Sequence, residues 1–303
     1  VDSTDAIVDS VAHTCRHFGG QVDEDVVRAG VGLPLDVVFP DFIPDVPYAE
    51  ALEVYRARYL SHGLAMQTLL PGAHARIDLA ALKQRLAYNN PGFVHETPVH
   101  ALSLSNLTES GAAYRPFEIA ERAALAREAG LAVHLDGARL ANALVSTGAK
   151  PAEMSWRAGV DVLSFGATKN GGAGCEAIIL FGAARSRLHE LQIRAKRAGH
   201  MPPKMRFLGA QMTAYLKDGL WLQLAHNANS AATALSQALV KAGAELTHPV
   251  DGNEVFAKLP PGAADRLSKA GATFYPWPDG SHRFVCSWAT TPEEVADLAA
   301  TVG

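Results

Sequence analysis

Long apolar runs and basic clusters do not occur in the sequence, and its first residues do not resemble a secretory signal. No stretch approaches the run of about 18 to 20 apolar residues that a membrane-spanning helix needs. The first residues, from Val1 to Asp5, show neither the basic region nor the apolar region of a secretory signal. Lys and Arg number 27 against 31 Asp and Glu, and no basic cluster suits a phosphate backbone. We therefore expect neither a membrane nor a nucleic acid as the main partner.

Cysteine is also scarce, since only Cys15, Cys175 and Cys286 occur, far apart and odd in number. A chain of 303 residues with 48% hydrophobic residues buries a sizeable core and needs no disulfide bonds. The cysteines therefore favour a reducing compartment, and we expect a cytoplasmic protein. His13 and His17 flank Cys15, but zinc sites need four converging ligands and no second half follows, so we expect no metal.

From about Gln67 onward, short β-prone runs alternate with stretches of helical periodicity. This alternation predicts an α/β fold whose sheet is mainly parallel and flanked by helices. The predicted strands are Val99 to Ser105, Leu131 to Leu135, Val160 to Phe165 and Glu176 to Phe181, and the predicted crossover helices are Pro116 to Gly130 and Leu140 to Ala158.

The two ends of the chain differ from this middle part. A helical tract from Pro203 to about Ala242, broken near Gly219, leads to a smaller α+β domain with a capped helix after Thr291. Before Gln67, prolines are crowded and only Ala49 to Leu60 is predicted to be helical. We therefore predict an atypical region over residues 1–66, a large domain over 67–221 and a small domain over 222–303.

Two polar residues follow predicted strands. Asp136 comes directly after Leu131 to Leu135, with His134 on the same side, and Lys169 lies in the glycine-rich loop after Val160 to Phe165. Carboxyl ends of parallel strands share the sheet edge where such folds bind ligands. Asp136 alone could cap a helix, and Lys169 could be a solvated or phosphate-binding lysine, although the P-loop order is absent. Together they suit pyridoxal phosphate, which needs a carboxylate for its ring nitrogen and a lysine that forms an imine.

The sequence around these residues carries a family resemblance. LDGARLANA at 135–143 is followed by AGVDVLSFGATKNG at 158–171, and these motifs resemble the low-specificity threonine aldolases of the β-eliminating lyase group. Further matching segments follow in the family's order: NLTESG at 106–111, YRP at 114–116, KRAGH at 196–200, KMRF at 204–207 and RFVCSW at 283–288. The resemblance covers roughly residues 67–303 and implies the fold type I of pyridoxal-phosphate-dependent enzymes, in the aspartate aminotransferase superfamily.

The resemblance also implies roles for single residues. Lys169 would form the imine with pyridoxal phosphate, and Asp136 would pair with the pyridinium nitrogen. Arg139 and Arg283 would bind the substrate α-carboxylate, for which the planar guanidinium is well shaped.

Three further residues are weaker candidates for cofactor binding. Lys204 and Arg206 resemble the basic segment that helps to hold the cofactor phosphate in the family, often across a subunit interface, with a solvated helix start as the alternative. His134 would orient Asp136, or else be a satisfied core histidine.

The activity implied is that of a homodimeric or homotetrameric lyase that cleaves L-threonine, allo-threonine or related β-hydroxy-α-amino acids to glycine and an aldehyde. Two alternatives stay open, namely β-elimination or racemisation on the same scaffold, and a catalytically silent protein. The silent alternative is supported by residues 1–66, which lack the family's phosphate-binding turn and ring-stacking histidine. Those residues are either a divergent replacement or a segment whose reading frame differs from the family's.

Overall fold

A computed structural model of the chain describes residues 4–31, 34–63, 76–87 and 99–303. The chain divides into two compact units, and the described helices up to residue 63 belong to the first while the elements from Arg76 onward belong to the second. The predicted domain boundary after residue 66 lies outside the described residues. In the described part of the chain, no helix is both long and apolar enough to cross a membrane.

The first unit is helical. Its helices are α1 (Thr4–His17), α2 (Glu24–Ala29), α3 (Leu35–Phe42) and α4 (Tyr48–Arg58), followed by a π-helical turn at Tyr59–Gly63. A small core of buried side chains joins them: Val8, Val11, Cys15, Val27, Val38, Phe39, Ile43 and Ala51.

The prediction of a single helix in this region was therefore incomplete. Pro34 and Pro47 directly precede α3 and α4, where the missing N–H costs no helical hydrogen bond, so these prolines mark helix starts rather than a lack of helix. Arg58 of α4 donates to both carboxylate oxygens of Asp9 in α1, at 2.8 and 3.0 Å, and this pair ties the two longest helices together.

The second unit begins with α5 (Leu79–Ala87) and contains a sheet of β1 (Ala101–Ser105), β2 (Ala132–Gly137), β3 (Val162–Gly166) and β4 (Glu176–Leu180). The strand order is β1-β2-β3-β4, with the first two pairings parallel and the third antiparallel. The predicted α/β class with a mainly parallel sheet is confirmed, and the strands lie within two residues of their predicted bounds.

Two crossover helices, α6 (Pro116–Glu128) and α7 (Leu140–Thr147), connect the parallel strands. The prediction that the second helix reaches Ala158 was wrong. Gly148 ends it with a left-handed φ of +67°, and its N–H binds the carbonyl of Leu144. The core lies between sheet and helices and includes Ile119, Leu135 and Met154, each fully or almost fully buried. Burial of each such side chain contributes about 1.5 to 3 kcal/mol.

Three helices follow the sheet: α8 (Leu188–Arg197), α9 (Arg206–Leu216) and α10 (Leu220–Lys241). The predicted break near Gly219 is present, because Asp218 and Gly219 both take positive φ values, of 53° and 75°. Helix α10 is continuous across residue 222, the predicted start of the small domain, so that boundary stays a prediction. Its first turns pack on the core beneath the first sheet, and its later turns pack on a second core.

The second core lies against a small antiparallel sheet of β5 (Glu245–Leu246), β6 (Glu254–Lys258), β7 (Tyr275–Pro276) and β8 (His282–Val285), in the order β5-β6-β8-β7. Helices α11 (Ala263–Lys269) and α12 (Pro292–Val302) complete it. The predicted cap is confirmed, since the side chains of Thr291 and Glu294 bind each other's backbone N–H at the start of α12.

Candidate active site

The carboxyl ends of β2 and β3 lie side by side and carry the two residues that the sequence placed there. Asp136 of β2 pairs in register with Ser164 of β3, and Gly137 pairs with Phe165. The chains approach closely beyond this point, because a Cβ on Gly166 would lie only 2.9 Å from the Cα of Ala138. Only glycine allows that approach. Asp136 and the loop that holds Lys169 therefore emerge from one edge of the sheet.

The Asp136 side chain is half-buried and has one oxygen engaged. Oδ1 accepts the N–H of Ala138 at 2.9 Å, and the backbone carbonyl accepts the N–H of Asn106, also at 2.9 Å. Oδ2 accepts no hydrogen bond from the residues that the structure describes. The carboxylate is thus held in place by one oxygen while the other is available to an external donor.

Lys169 is the middle residue of a short 3-10 turn, Thr168–Asn170, and its side chain is exposed. The next residue, Asn170, is buried and anchors the turn. Its Nδ2 donates to the hydroxyl of Tyr215 at 2.7 Å and to the carbonyl of Trp221 at 2.8 Å. Gly171 leaves the turn with φ +106°, and a Cβ there would lie 3.0 Å from a methyl of Leu224. The turn that contains Lys169 is therefore anchored to both α9 and α10 through Asn170, while the Lys169 amine itself is exposed.

His134 lies on β2 two residues before Asp136, with both ring nitrogens occupied by serine hydroxyls. Ser103 of β1 is 2.8 Å from Nδ1, and Ser164 of β3 is 2.9 Å from Nε2. Neither bond reaches Asp136. The side chain therefore bridges the two neighbouring strands, and its role toward a cofactor stays a prediction.

The loop that follows β1 is fixed by side-chain hydrogen bonds. Asn106 is fully buried, its Oδ1 accepts the N–H of Tyr114 at 3.0 Å, and its Nδ2 donates to the carbonyl of Tyr114 at 3.2 Å. Thr108 accepts the N–H of Ala112 at 3.1 Å. Gly111 closes the loop with φ +77°. The segment 106–111, which carries part of the family resemblance, is therefore a loop fixed by hydrogen bonds, and it contacts the end of β2 at Asp136.

Arg139 and Arg283, which are far apart in sequence, converge on one carboxylate. Nη2 of Arg139 lies 3.2 Å from Oε1 of Glu254, and Arg283 donates to the same oxygen from Nε at 2.9 Å and from Nη2. The Glu254 side chain is 1% exposed, against 15% for Arg139 and 18% for Arg283. The guanidinium of Arg283 also lies 5.6 Å from the ring centre of Trp277.

Burial lowers the pKa of Arg139 below its ordinary value, and the attraction of Glu254 opposes that shift.

Sequence reasoning assigned the two arginines but missed Glu254. A signal was present, because Glu254 is a charged residue at the head of an otherwise apolar strand, followed by Val255, Phe256 and Ala257.

Lys204 and Arg206 lie at the start of α9 and are both exposed. Lys204 has a positive φ of 64°, and the guanidinium of Arg206 lies 4.8 Å from the ring centre of Phe207. In the described part of the chain, no hydrogen bond or ion pair joins either cation to Asp136 or Lys169. Their predicted role in phosphate binding stays a prediction.

All three cysteines are buried and unpaired. Burial raises the pKa of Cys15 and of Cys286 to about 11, so neither thiol ionises near neutral pH. Among the described residues, no group of three or more His, Cys, Asp or Glu side chains could hold a metal ion.

The chain is similar in sequence to a known protein family. Residues 53–260 match the β-eliminating lyase family. The low-specificity L-threonine aldolase of Pseudomonas aeruginosa is 41% identical over 224 residues, which make up 73% of this chain and 62% of that protein. A second enzyme of the same name from a Pseudomonas species is 41% identical over 211 residues, or 69% of this chain and 60% of that protein. This chain thus matches about three fifths of the length of these relatives.

A solved structure of Leishmania major threonine aldolase is similar in fold, with a TM-score of 0.66 and 26% identity over 83% of this chain and 72% of that one. The second unit has the type I fold of pyridoxal-phosphate-dependent enzymes, as the sequence predicted. The family prediction is likewise confirmed, and with it the family's dependence on pyridoxal phosphate. From its motifs, its fold and the match over residues 53–260, this chain belongs to the β-eliminating lyase family.

Proposed function

We propose that this chain is a pyridoxal-phosphate-dependent aldolase that cleaves L-threonine, allo-threonine or related β-hydroxy-α-amino acids to glycine and an aldehyde. One observation carries the proposal. A lysine amine and a carboxylate with a free oxygen emerge from one sheet edge, in the same unit as two guanidinium groups that already converge on a carboxylate. A protein kept only for its fold requires none of these groups.

The residues present fit the ring and the carbonyl of pyridoxal phosphate. Oδ2 of Asp136 is available to accept a hydrogen bond from the protonated ring nitrogen, and the amine of Lys169 has no partner among the described residues that would compete for it. His134 and its serine partners lie on the same strand face as Asp136, where the ring would rest. When bound, the cofactor supplies a sink for the electron pair released as the Cα–Cβ bond breaks.

For the cofactor phosphate we propose Lys204 and Arg206. Both side chains are exposed and carry a positive charge that no acidic partner neutralises in the described part of the chain. Phosphate is well matched by a guanidinium fork beside an ammonium group. Their position at the start of α9 is also compatible with a phosphate held at a subunit interface.

Arg139 and Arg283 would bind the substrate α-carboxylate. Two guanidinium groups fix a carboxylate in orientation as well as in position, and that orientation decides which bond to Cα stands perpendicular to the cofactor ring. Cleavage of the Cα–Cβ bond requires the β-hydroxyl to lose its proton to a base and the Cα of glycine to regain one. The products are then glycine and the aldehyde formed from the β-carbon.

We also propose a homodimer or homotetramer in the cytoplasm. Ile178 on β4 is 54% exposed, and it lines a cleft of about 630 Å³ together with Met201 and Met205. Phe207 on α9 is 59% exposed. Apolar surface of this kind supports an interface between subunits. Three buried, unpaired thiols support a reducing compartment.

The test begins with the cofactor. The purified chain is mixed with pyridoxal phosphate, scanned for visible absorbance, reduced with borohydride and mapped by peptide mass spectrometry. We expect an imine band that maps to Lys169 and disappears in Lys169→Ala, while Lys150→Ala, an exposed loop lysine, keeps it. Glycine and aldehyde are then measured after addition of L-threonine, and light scattering with size exclusion gives the number of subunits.

The outcomes separate the three functions. Glycine and aldehyde in equal amounts support the aldolase. A band at Lys169 with a keto acid, or with the enantiomer of the substrate, in place of glycine would assign the scaffold to β-elimination or racemisation. No band at Lys169 would overturn the proposal and leave a catalytically silent member of the family.

A further inference from the structure

The carboxylate of Glu254 is a built part of the arginine pair rather than a chance contact. Its Oε1 receives both guanidinium groups, and its Oε2 is buried without a hydrogen-bond partner among the described residues. Nε of Arg139 is buried and unpartnered in the same way. The three side chains therefore form a compact ionic group in which one guanidinium donor has no partner among the described residues.

Backbone geometry sets the position of Glu254. It is the first residue of β6 and pairs with Val285, so that Arg283 lies diagonally across on the same face of β8. On the other side, Gly111 packs closely, since a Cβ at that position would lie 3.3 Å from the Cβ of Glu254. With φ at +77°, Gly111 is also held in a conformation that favours glycine. These two constraints leave the carboxylate little freedom to move away from the arginines.

The charges of the group do not cancel. Two guanidinium groups face one carboxylate, which leaves a single positive charge. Two other carboxylates act on Arg139 from a distance, but Glu109 is exposed and screened by water, and Asp136 is reserved for the ring nitrogen in the proposed function. A buried site with one excess positive charge favours one bound carboxylate and disfavours a second.

We infer that Glu254 restricts the arginine pair to substrates with a single carboxylate. Glu254 is a positioning and specificity residue. It holds both guanidinium groups, and its negative charge cancels one of their two positive charges. An amino acid with a second, side-chain carboxylate would need both positive charges. This inference rests on the proposed function, because it takes Arg139 and Arg283 as the carboxylate site. It predicts that neutral β-hydroxy-α-amino acids bind well and that their acidic counterparts bind poorly.

The test compares two small amino acids that differ by one carboxylate. Glycine and L-aspartate are titrated by calorimetry into the full chain with its cofactor, and the ratio of their dissociation constants is the readout. We expect the unchanged protein to favour glycine. Glu254→Gln, which keeps the shape and removes the charge, shifts the ratio by about tenfold toward aspartate, because a unit charge in a partly buried site acts strongly over a few ångströms.

Three further variants serve as controls. Glu245→Gln removes an exposed carboxylate from β5 of the same sheet, and we expect the ratio to stay within about twofold of the unchanged protein. Glu254→Asp keeps the charge and restores the preference for glycine. The double variant Arg139→Gln with Glu254→Gln leaves Arg283 as the single positive charge, so the excess charge is again one. We expect the ratio of the two dissociation constants to return toward its original value, although both ligands bind more weakly. Thermal unfolding of each variant shows that it is folded.

The possible results distinguish the inference from the function on which it rests. A ratio that does not change in folded Glu254→Gln while the imine band at Lys169 persists overturns the inference and leaves the proposed function intact. Loss of the imine band with the shift in ratio retained overturns the function and supports the charge rule. Failure of both ligands to bind the unchanged protein overturns the inference, because the arginine pair is then not a carboxylate site.

Discussion

Replacement of Asn170 by alanine tests how the Lys169 loop is held. Asn170 is 3% exposed, and its Nδ2 is shared between the Tyr215 hydroxyl at 2.7 Å and the Trp221 carbonyl at 2.8 Å. Alanine removes both hydrogen bonds and brings no donor in their place. Because Lys169 directly precedes Asn170, we expect the change to act on stability and on the proposed cofactor site together.

The magnitude follows from the two lost bonds and the groups they leave behind. Each hydrogen bond contributes about 1 kcal/mol net, and a buried acceptor left unsatisfied costs about 1 to 3 kcal/mol. Trp221 is 9% exposed, so water reaches its carbonyl poorly. We expect a loss of about 3 kcal/mol in the free energy of unfolding, which for a unit of this size lowers Tm by roughly 6 to 12 °C.

The assay uses the natural fluorophores. All 4 tryptophans, Trp156, Trp221, Trp277 and Trp288, lie in the second unit, so tryptophan fluorescence during urea unfolding reports on that unit. We expect a lower midpoint with an unchanged m-value. Borohydride trapping at limiting pyridoxal phosphate gives the second readout, and we expect about tenfold weaker imine formation, because a displaced lysine no longer meets the carbonyl.

Asn227→Ala provides the matched control, since Asn227 is exposed on α10 and the same substitution there is expected to leave the midpoint unchanged. The reasoning is refuted if Asn170→Ala unfolds within about 0.5 kcal/mol of the unchanged protein and traps the cofactor equally well. Lost stability with normal trapping would show that the bonds support the fold but do not place Lys169.

Three further predictions concern other parts of the chain. The hydrogen bond from Arg58 lowers the pKa of Asp9 below its model-peptide value of 3.8, so the pair stabilises the fold above about pH 4 and this contribution disappears as the pH falls lower. Urea unfolding of Arg58→Gln, followed by helical circular dichroism, should show a loss at pH 7 that becomes smaller as the pH falls below about 4. Thr291→Ala removes the reciprocal cap with Glu294 and should cost about 1 kcal/mol in thermal unfolding, and no change would contradict the capping geometry. Because burial raises the pKa of Cys286 to about 11, its thiol should react with a disulfide reagent at pH 8 only after unfolding.

Much of the second unit could be predicted because its strands and helices have clear local signals. The run from Leu131 to Leu135 is apolar and ends in Asp136, and β2 is observed at Ala132–Gly137. The helix after Thr291 was predicted from the spacing of Thr291, Pro292 and Glu294, which is a local pattern. The first unit was predicted poorly, because its prolines were taken as a sign against helix, although Pro34 and Pro47 directly precede helices and α3 continues through Pro40.

Contiguous motifs were enough to predict the family and the α/β class. They also predicted that Asp136 and the loop of Lys169 emerge from one edge of the sheet, because parallel strands share a carboxyl edge. The three-dimensional fold was needed to see that Asn170 anchors the lysine loop and that His134 binds two serines rather than Asp136. The same holds for Glu254, which lies between Arg139 and Arg283. The physical reason is sequence distance: these partners come from different strands and helices, and a hydrogen bond between them exists only after the chain has brought those elements together.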